Sequence, residues 1–489
     1  MKQKTALVWF RHDLRLADNP ALYHAAEESD AVVPVFIWAP SEEGDWAPGG
    51  AHRWWLHHSL DALDADLREK GSRLLLRQGN SLDVLRDLID ETGAEAVYWN
   101  KRYEPALRRR DLGVAEALRG DGIAFHTFES RLLHHPERIE TKSGGPYHVF
   151  TPFWKKLKSE LDVRAPLPKP RMGETKAPSS WPTSDKLDGF KLTPEAQDGV
   201  DWAEGFRATW TSGKGEAPGE AGAHERLEHF TQNLLADYAE YRNRPDLDGV
   251  SMLSPRLHHG ELSPRQVWTS VQEWVQNGAM READDVYLQE IAWREFSYHL
   301  LYHYPETPDQ ALKDKFDGFD WRHAPEKLEQ WQKGQTGYPI VDAGMRQLWE
   351  IGWMHNRVRM IVASFLTKDL LVYWQDGAAW FWDCLVDGDL ANNTMGWQWS
   401  AGCGADAQPF FRIFNPISQG ERYDPKGDYV RRYVPELKHL PNQYLHHPWD
   451  APDEVLEKAD VRLGETYPEP LVDHSEARDR ALEAYQEVR

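Results

Sequence analysis

Over the first 130 residues, short apolar runs rich in β-branched residues alternate with stretches whose apolar positions recur every three or four residues. "TALVWF" (5–10), "AVVPVFIW" (31–38), "SRLLLR" (72–77), "EAVYW" (95–99) and "IAFHTF" (123–128) have the composition of strands. "NPALYHAAEES" (19–29), "HRWWLHHSLDALDADLREKG" (52–71) and "SLDVLRDLIDETG" (81–93) have the periodicity of helices between them. The alternation predicts an α/β domain over 1–132, a doubly wound parallel sheet with helices on both faces. The first strand runs into "RHDLRLADNP" (11–20) and not into G-x-G-x-x-G, so an ordinary dinucleotide loop is excluded at that turn. The strand ends of such a sheet still offer a ligand crevice.

"VRAPLPKPRMGETKAPSSWPTSD" (163–185), rich in Pro, Ser and Lys, reads as part of a surface connector spanning 133–204. Beyond about 205 the strand signal disappears. Helical periodicity fills "HERLEHFTQNLLADYAEYRNRP" (224–245), "SPRQVWTSVQEWVQN" (263–277), "DDVYLQEIAWREFSYHLLYHYP" (284–305) and "MHNRVRMIVASFLTKDLLVYWQDG" (354–377), broken by Gly and Pro. An all-α domain is expected over 205–489.

At 489 residues the chain exceeds what one hydrophobic core supports, in keeping with this division. No apolar run of membrane-spanning or signal-peptide length occurs, so a soluble, unexported, cytoplasmic protein with no membrane partner is expected. Two cysteines are too few for a disulfide framework, a four-cysteine zinc site or a cysteine-held iron–sulfur cluster. The net charge of −22 opposes indiscriminate binding to polyanions, so any contact with nucleic acid must use a local basic patch.

Several stretches carry chemistry. His299 and His303 stand at helical spacing for a metal, but Leu300 occupies the place of the general-base Glu in H-E-x-x-H, and no metal site is expected. In "GWMHNRVRM", Gly352 ends one helix and the next starts near His355, placing Asn356 and Met360 four apart with Arg359 on the adjoining face. A buried Arg359 needs a carboxylate, which Asp387 or Asp389 of "DGDLANNTMGWQW" (387–399) can supply; a ligand site and a structural salt bridge both fit. Glu290 and Trp293 share one helix face, either as a platform for a flat hydrogen-bonding ring or as a solvated acid beside a core indole.

Taken together, "LVWFRHDLRLADNPAL", "RWWLHHSL", "WREF", "TGYPIVDAGMRQLWEIGWMHNRVRM", "DGDLANNTMGWQW" and "FRIFNPISQGERYDPKGDYVRRYVPEL" resemble the photolyase/cryptochrome flavoproteins, over about residues 5 to 450. The resemblance implies an antenna domain followed by a helical domain holding FAD. It implies flavin contacts at Asn356, Arg359, Asp387, Asp389 and Asn393, and phosphate-side contacts at Tyr238, Ser251, Leu253 and Ser254, where Val250 replaces the family's usual threonine. Glu290, Trp293, Asn356, Arg357, Met360 and Trp399 match residues that hold a flipped-out cyclobutane pyrimidine dimer. His355-Asn356 stands where enzymes repairing (6-4) photoproducts usually carry a histidine pair. Asn393 stands where plant cryptochromes usually carry aspartate, which implies repair driven by fully reduced flavin. Trp397, Trp374 and Trp321 match the family's electron-relay indoles. DNA contact is implied for Arg242, Arg357 and Arg412, with Arg244 and Lys155 as further positions. Antenna pigments in the family include methenyltetrahydrofolate, a deazaflavin or a flavin; "RWWLHHSL" and "WFWDCLVDGDL" lean toward folate. The expectation is a monomeric cyclobutane-dimer photolyase, with a blue-light receptor of the cryptochrome type as alternative and a metal-dependent hydrolase on His299 and His303 as a remote rival.

Overall fold

The computed structural model describes residues 4–172, 176–193, 201–211, 217–276, 281–407 and 412–488. Connector positions 173–175 and 194–200, and Asn277 of the helical run 263–277, lie outside them. Five parallel strands, β1 (Thr5–Phe10), β2 (Ala31–Trp38), β3 (Leu75–Gln78), β4 (Ala96–Asn100) and β5 (Ala124–Phe128), are ordered β3-β2-β1-β4-β5. Between them run α1 (Pro20–Glu28), α2 (Gly50–Glu69), α3 (Ser81–Thr92) and α4 (Pro105–Gly120). The fourth helix was not singled out from the sequence, yet parallel pairing of β4 and β5 requires a crossover there.

The period-two pattern sorts each strand between two cores. Ala6, Val8 and Phe10 of β1 face α1 and α2 through Leu22, Leu56, Leu60 and Leu63. Leu7 and Trp9 face α3 and α4 through Leu85, Leu88, Val114 and Leu118. Strand β2 is buried along its whole length, as a central parallel strand should be. Its Pro34 precedes the pairing with β3, which starts at Val35, so the missing N–H costs no bond there. The connector covers the outer edge of β3: Asp185 N–H donates to Leu76 O at 2.9 Å, Leu76 N–H to Ser184 Oγ at 3.0 Å, and Phe190 and Leu192 join the core beneath.

The chain forms two compact units, and they cut across the division at 132 and 204. The first comprises 1–236, 251–305 and 386–389; the second comprises 237–250, 306–385 and 390–489. All five strands belong to the first, together with helices Phe150–Glu160 and Arg281–His303. Tertiary packing thus assigns the connector, and part of the helical half, to the sheet-bearing unit. No helix among the described residues is long and apolar enough to cross a membrane.

Candidate functional site

In the first unit, the charged loop after β1 is consumed by the fold. Arg11 pairs with Asp111 at 3.2 Å, Asp13 accepts from Arg11 N–H at 2.7 Å and from Asn100 at 2.6 Å, and Asn19 caps α1 through Leu22 N–H. Arg15 reaches Gly260 O at 2.8 Å. This loop fastens elements together and has no cradle of free N–H groups for a phosphate.

Helix Arg281–His303 sorts its polar residues by face. Glu290 and Trp293 are half-buried on one side, and the Trp293 indole stacks on Phe150 with ring centroids 3.6 Å apart and planes 8° apart. Phe150 therefore backs the indole and fixes its plane. On the inner side Glu295 accepts from Leu133 N–H and His134 N–H at 3.0 and 3.2 Å, and Arg294 donates to Arg131 O at 2.7 Å. His299 uses both ring nitrogens, donating Nδ1–H to Pro136 O at 3.2 Å and accepting Tyr147 N–H at Nε2 at 3.0 Å. Those bonds leave it no lone pair for a metal.

Asp389 finds a partner that its own neighbourhood in sequence does not contain. Arg131 Nη2 donates to it at 2.8 Å, Tyr298 hydroxyl donates to the same oxygen, and His258 Nδ1 lies 3.7 Å away. Burial alone would raise this carboxyl, but the nearby His258 ring and the Arg131 and Arg294 guanidinium groups outweigh it and hold Asp389 well below the usual range. Around it cluster His12, His52 and His258, whose ring nitrogens lie within 4.8 Å of one another and could hold a metal ion; His52 and His258 share a hydrogen bond of 2.9 Å. His259 sits against the same group, 4.6 Å from His52 between ring centroids.

Burial keeps these imidazoles neutral. His12, His52 and His259 lie well below the ordinary value, His258 lies below it, and His299 and His355 are pushed down to about 3. Below about pH 6.5 the unfolded chain binds protons that the folded chain refuses, so folding weakens as pH falls from there toward 4. Glu43 and Glu295, raised by burial to about 7, and Asp424, raised by burial to about 6, act in the opposite sense, since they take up protons first in the folded chain. Burial also lowers His58, to about 4, His135 and His446, and also raises Asp66, Asp342, Asp369 and Asp376; the lowered imidazoles still outnumber the raised carboxyls. The expected result is a Tm several degrees lower at pH 5 than at pH 7.5, at roughly 2–4 °C per kcal/mol lost. Calorimetry showing a higher Tm on acidification would contradict neutral burial of these imidazoles.

In the second unit, Gly352 ends helix Pro339–Ile351 with φ +68°, a left-handed cap that Gly adopts without a Cβ clash. His355 then caps helix Asn356–Ser364 by accepting Arg357 N–H at 3.1 Å, as the sequence suggested. Asn356 is exposed; Arg357, Arg359 and Met360 are half-buried. Arg359 Nε donates to Met354 O at 2.7 Å. Arg357 is oriented by two bonds to Asn243 Oδ1, 3.2 and 2.8 Å, and lies over Tyr423 at 4.6 Å. Arg422 covers the same phenol ring at 5.2 Å, and Arg242 lies over Tyr238 at 5.6 Å. After burial, the charges of Arg242, Arg422 and Arg412 each press the Arg357 guanidinium toward its neutral form, which places four arginines in one electrostatic neighbourhood. Arg422, Tyr423 and Asn243 were missed from sequence, although the Arg-Tyr pair in "GERYD" was a readable signal. Arg244 differs, because Asp246 takes its guanidinium at 2.7 Å. Lys155 is exposed and belongs to the first unit.

Helix Leu390–Ala401 carries most of the 387–399 stretch. Asn393 Nδ2 donates to Ala378 O at 3.0 Å; a carbonyl can only accept, so the amide oxygen of Asn393 is directed elsewhere and suits a ring N–H donor. Gln398 is buried and satisfied: it accepts from Leu312 N–H at 2.9 Å and donates to Thr307 O and Gln310 O at 2.7 and 2.8 Å. It pins the 307–312 segment. Trp397 is buried edge-on to Phe381 at 5.0 Å and to Trp331 at 6.1 Å. Gly377, one turn along helix Trp374–Cys384 from Trp374, makes room for it: a Cβ there would lie 2.1 Å from Trp397 Cη2. Trp399 is half-buried. Trp374 is buried, and it lines a cavity of about 490 Å³ together with Trp321.

The candidate residues are divided between the units. Ser251, Leu253, Ser254, Glu290, Trp293, Asp387 and Asp389 belong to the first; Tyr238, Arg242, the 356–360 group, Asn393, Arg412 and the relay tryptophans belong to the second. Within the first, Ser251 Oγ accepts Leu253 N–H at 3.4 Å and Arg226 Nε donates to Ser251 O at 2.9 Å, while Ser254 is exposed at a helix start. Hydroxyls beside a guanidinium are a donor set suited to phosphate.

Residues 6–171 match the family described as DNA photolyase, and residues 287–487 match the FAD binding domain of DNA photolyase. The chain is 50% identical to the deoxyribodipyrimidine photo-lyase of Agrobacterium fabrum, over 100% of this chain and 99% of that one. It is 39% identical to Cryptochrome-2 of Arabidopsis thaliana, over 99% of this chain and 79% of that protein. The crystal structure of a bacterial class III photolyase from Agrobacterium tumefaciens superposes with a TM-score of 0.94 at 49% identity, covering 100% of this chain and 98% of that one.

Proposed function

The chain belongs to the DNA photolyase/cryptochrome family of flavoproteins, and on that premise we propose that it is a deoxyribodipyrimidine photo-lyase, which binds DNA carrying a cyclobutane pyrimidine dimer and splits the dimer in light. The observation that carries this reading is the gathering of Arg242, Arg357, Arg412 and Arg422, with Tyr423 between two of them, on a chain of net charge −22. On so acidic a protein, a local group of guanidinium groups and aromatic rings is the arrangement on which a phosphate backbone can dock.

The residues present fit FAD, which when bound and fully reduced supplies the photoexcited electron. Ser251, Leu253, Ser254 and Tyr238 hold its phosphate side. Asn356, Arg359, Asp387 and Asp389 would serve its ring system, Asp389 as a carboxylate already held by Arg131 and Tyr298. Asn393, whose Nδ2 is held by Ala378 O, would have its amide oxygen free to accept from the bound ring system. Glu290 hydrogen-bonds the flipped-out pyrimidines and favours the charge they acquire, while Trp293, Met360 and Trp399 pack against them. Trp397, Trp374 and Trp321 relay electrons that return oxidised cofactor to its working state. A folate pigment serves as antenna in the α/β part, and the protein works as a monomer.

Binding to an undamaged oligonucleotide is expected to weaken with salt at a log–log slope of roughly −3 to −4, since about four cations meet phosphates at about 0.9 counterions each. Arg422→Ala should reduce that slope by about one and leave preference for a dimer-bearing strand largely intact. Fluorescence anisotropy across a salt series reads both. A flat salt profile would remove the arginine cluster from the DNA surface, and equal affinity for damaged and intact strands would argue against a repair enzyme.

The 39% identity to a plant cryptochrome along nearly the whole chain supports a second reading, a blue-light receptor with the same cofactor. A flavin-loaded, fully reduced sample that binds no damaged DNA would favour it.

A further inference from the structure

We propose that His12, His52, His258 and His259 form a binding site for one divalent ion of the zinc class, which ties the loop after β1 and the start of α2 to helix Ser254–His259. The site lies wholly within the sheet-bearing unit and is separate from the His299–His303 pair. His12 belongs to the loop after β1, His52 to the first turn of α2, and His258 and His259 to the last turn of helix Ser254–His259. One nitrogen from each of His12, His52 and His258 lies within 4.8 Å of the other two, and His52 Nδ1 meets His258 Nε2 at 2.9 Å. His259 completes the group. The six separations between the four ring centroids all fall between 4.6 and 5.7 Å, which sets the rings about a common centre. Four imidazoles on a tetrahedral ion, with bonds of about 2.1 Å, have ring centroids about 5 Å apart.

The donor chemistry agrees with that geometry. Each ring keeps a buried nitrogen with no hydrogen-bond partner among the described residues: Nδ1 of His12, His258 and His259, and Nε2 of His52. Buried polar atoms are nearly always paired, so four such atoms in one cluster call for an ion. A carbonyl only accepts, so the bond of 3.1 Å to Val386 O places the proton of His259 on Nε2 and leaves a lone pair on the unpaired Nδ1. His258 Nδ1 faces the Asp389 carboxylate at 3.7 Å, which favours a proton there and a lone pair at Nε2. Carbonyl and carboxylate partners of this kind support ligating histidines from the far nitrogen. Burial keeps all four rings neutral, the form that binds a metal. Arg102 and Arg131 oppose a divalent charge nearby, but Glu104 holds the first at 2.9 Å and Asp389 the second at 2.8 Å. Imidazole donors suit zinc, cobalt, nickel or copper and not magnesium or calcium. Four protein ligands leave no open position, so the ion is structural. The segments it joins are already in contact: Leu14 N–H donates to His259 O at 3.3 Å, and a Cβ on Gly260 would lie 2.2 Å from His12 O.

The test uses flavin-loaded protein stripped of metals with a chelator and titrated with cobalt(II), then zinc. One equivalent of cobalt should give the intense visible bands of tetrahedral coordination, at wavelengths beyond oxidised flavin, and zinc should displace it one for one. Free zinc at about a hundred times Kd should raise Tm by about 2–5 °C. His12→Gln and His52→Gln should each weaken zinc binding by at least about tenfold and alter the cobalt bands, while His303→Gln changes neither. Weak octahedral bands alone in the unaltered chain, or no stoichiometric uptake, overturn the site. So does zinc held as tightly by His12→Gln and His52→Gln as by the unaltered chain, or a loss in His303→Gln equal to theirs, which moves the ion to the His299–His303 pair. If the two substitutions cost the protein its flavin, the cobalt bands of the unaltered chain decide alone.

Discussion

Replacing Trp293 by alanine is expected to weaken binding of a dimer-bearing oligonucleotide by about 5- to 150-fold, the equivalent of roughly 1–3 kcal/mol for one lost base–aromatic stack. Affinity for intact DNA, which rests on the arginine cluster, should change little. The indole has one face against Phe150 at 3.6 Å, so truncation also removes internal packing. Trp293→Phe separates the two effects, since phenylalanine keeps a ring on Phe150 and should restore much of the affinity. Competition binding with damaged and intact strands measures the difference, with flavin content as the check on folding. Unchanged discrimination in Trp293→Ala would remove this indole from the lesion pocket, and Glu290, on the same face, would lose its strongest support.

The second large effect is expected at Trp397. Trp397→Phe should slow light-driven reduction of oxidised flavin by at least about tenfold, or about 1.4 kcal/mol of barrier. Chemically reduced protein carrying the same substitution should repair DNA nearly as well as the unaltered chain. Phenylalanine keeps a ring for Phe381 but lacks the Cη2 and Cζ3 atoms that fill the slot at Gly377, so the change removes an oxidisable indole and leaves a small cavity, for which flavin content is the check on folding. Flavin absorbance under illumination with a thiol donor, set beside single-turnover repair after chemical reduction, reads the two activities separately. Loss of both would mean that the substitution had damaged the fold or the flavin site.

Local patterns in the sequence carried the sheet, its helices and the helix break at Gly352 because each rests on nearest-neighbour chemistry: a short continuous apolar run in β1, apolar positions every three or four residues in α2, and a glycine where φ must be positive. Domain boundaries did not follow from it. Segment 386–389 packs with the sheet-bearing unit although its chain neighbours on both sides do not, and no window of sequence encodes that. The candidate site divides in the same way. Asp387, Asp389, Asn393 and Trp397 stand out as one motif, but the Arg131–Asp389 pair joins residues 258 positions apart, and its partner appears as one arginine among many. Gln398, between two tryptophans to which the family resemblance gives roles, fastens the 307–312 backbone. Arg422 was passed over inside a motif that had already drawn attention: its pairing with Tyr423 was readable, but the approach of Arg357 to the same ring from another helix is set by tertiary packing.

The most direct test reduces the flavin-loaded protein without oxygen, adds an oligonucleotide containing one thymine dimer, and follows the two restored thymines by chromatography under blue light and in darkness. Repair in light and none in darkness is the predicted result. A fully reduced, flavin-loaded sample that binds the damaged strand yet leaves the dimer intact under illumination would contradict it.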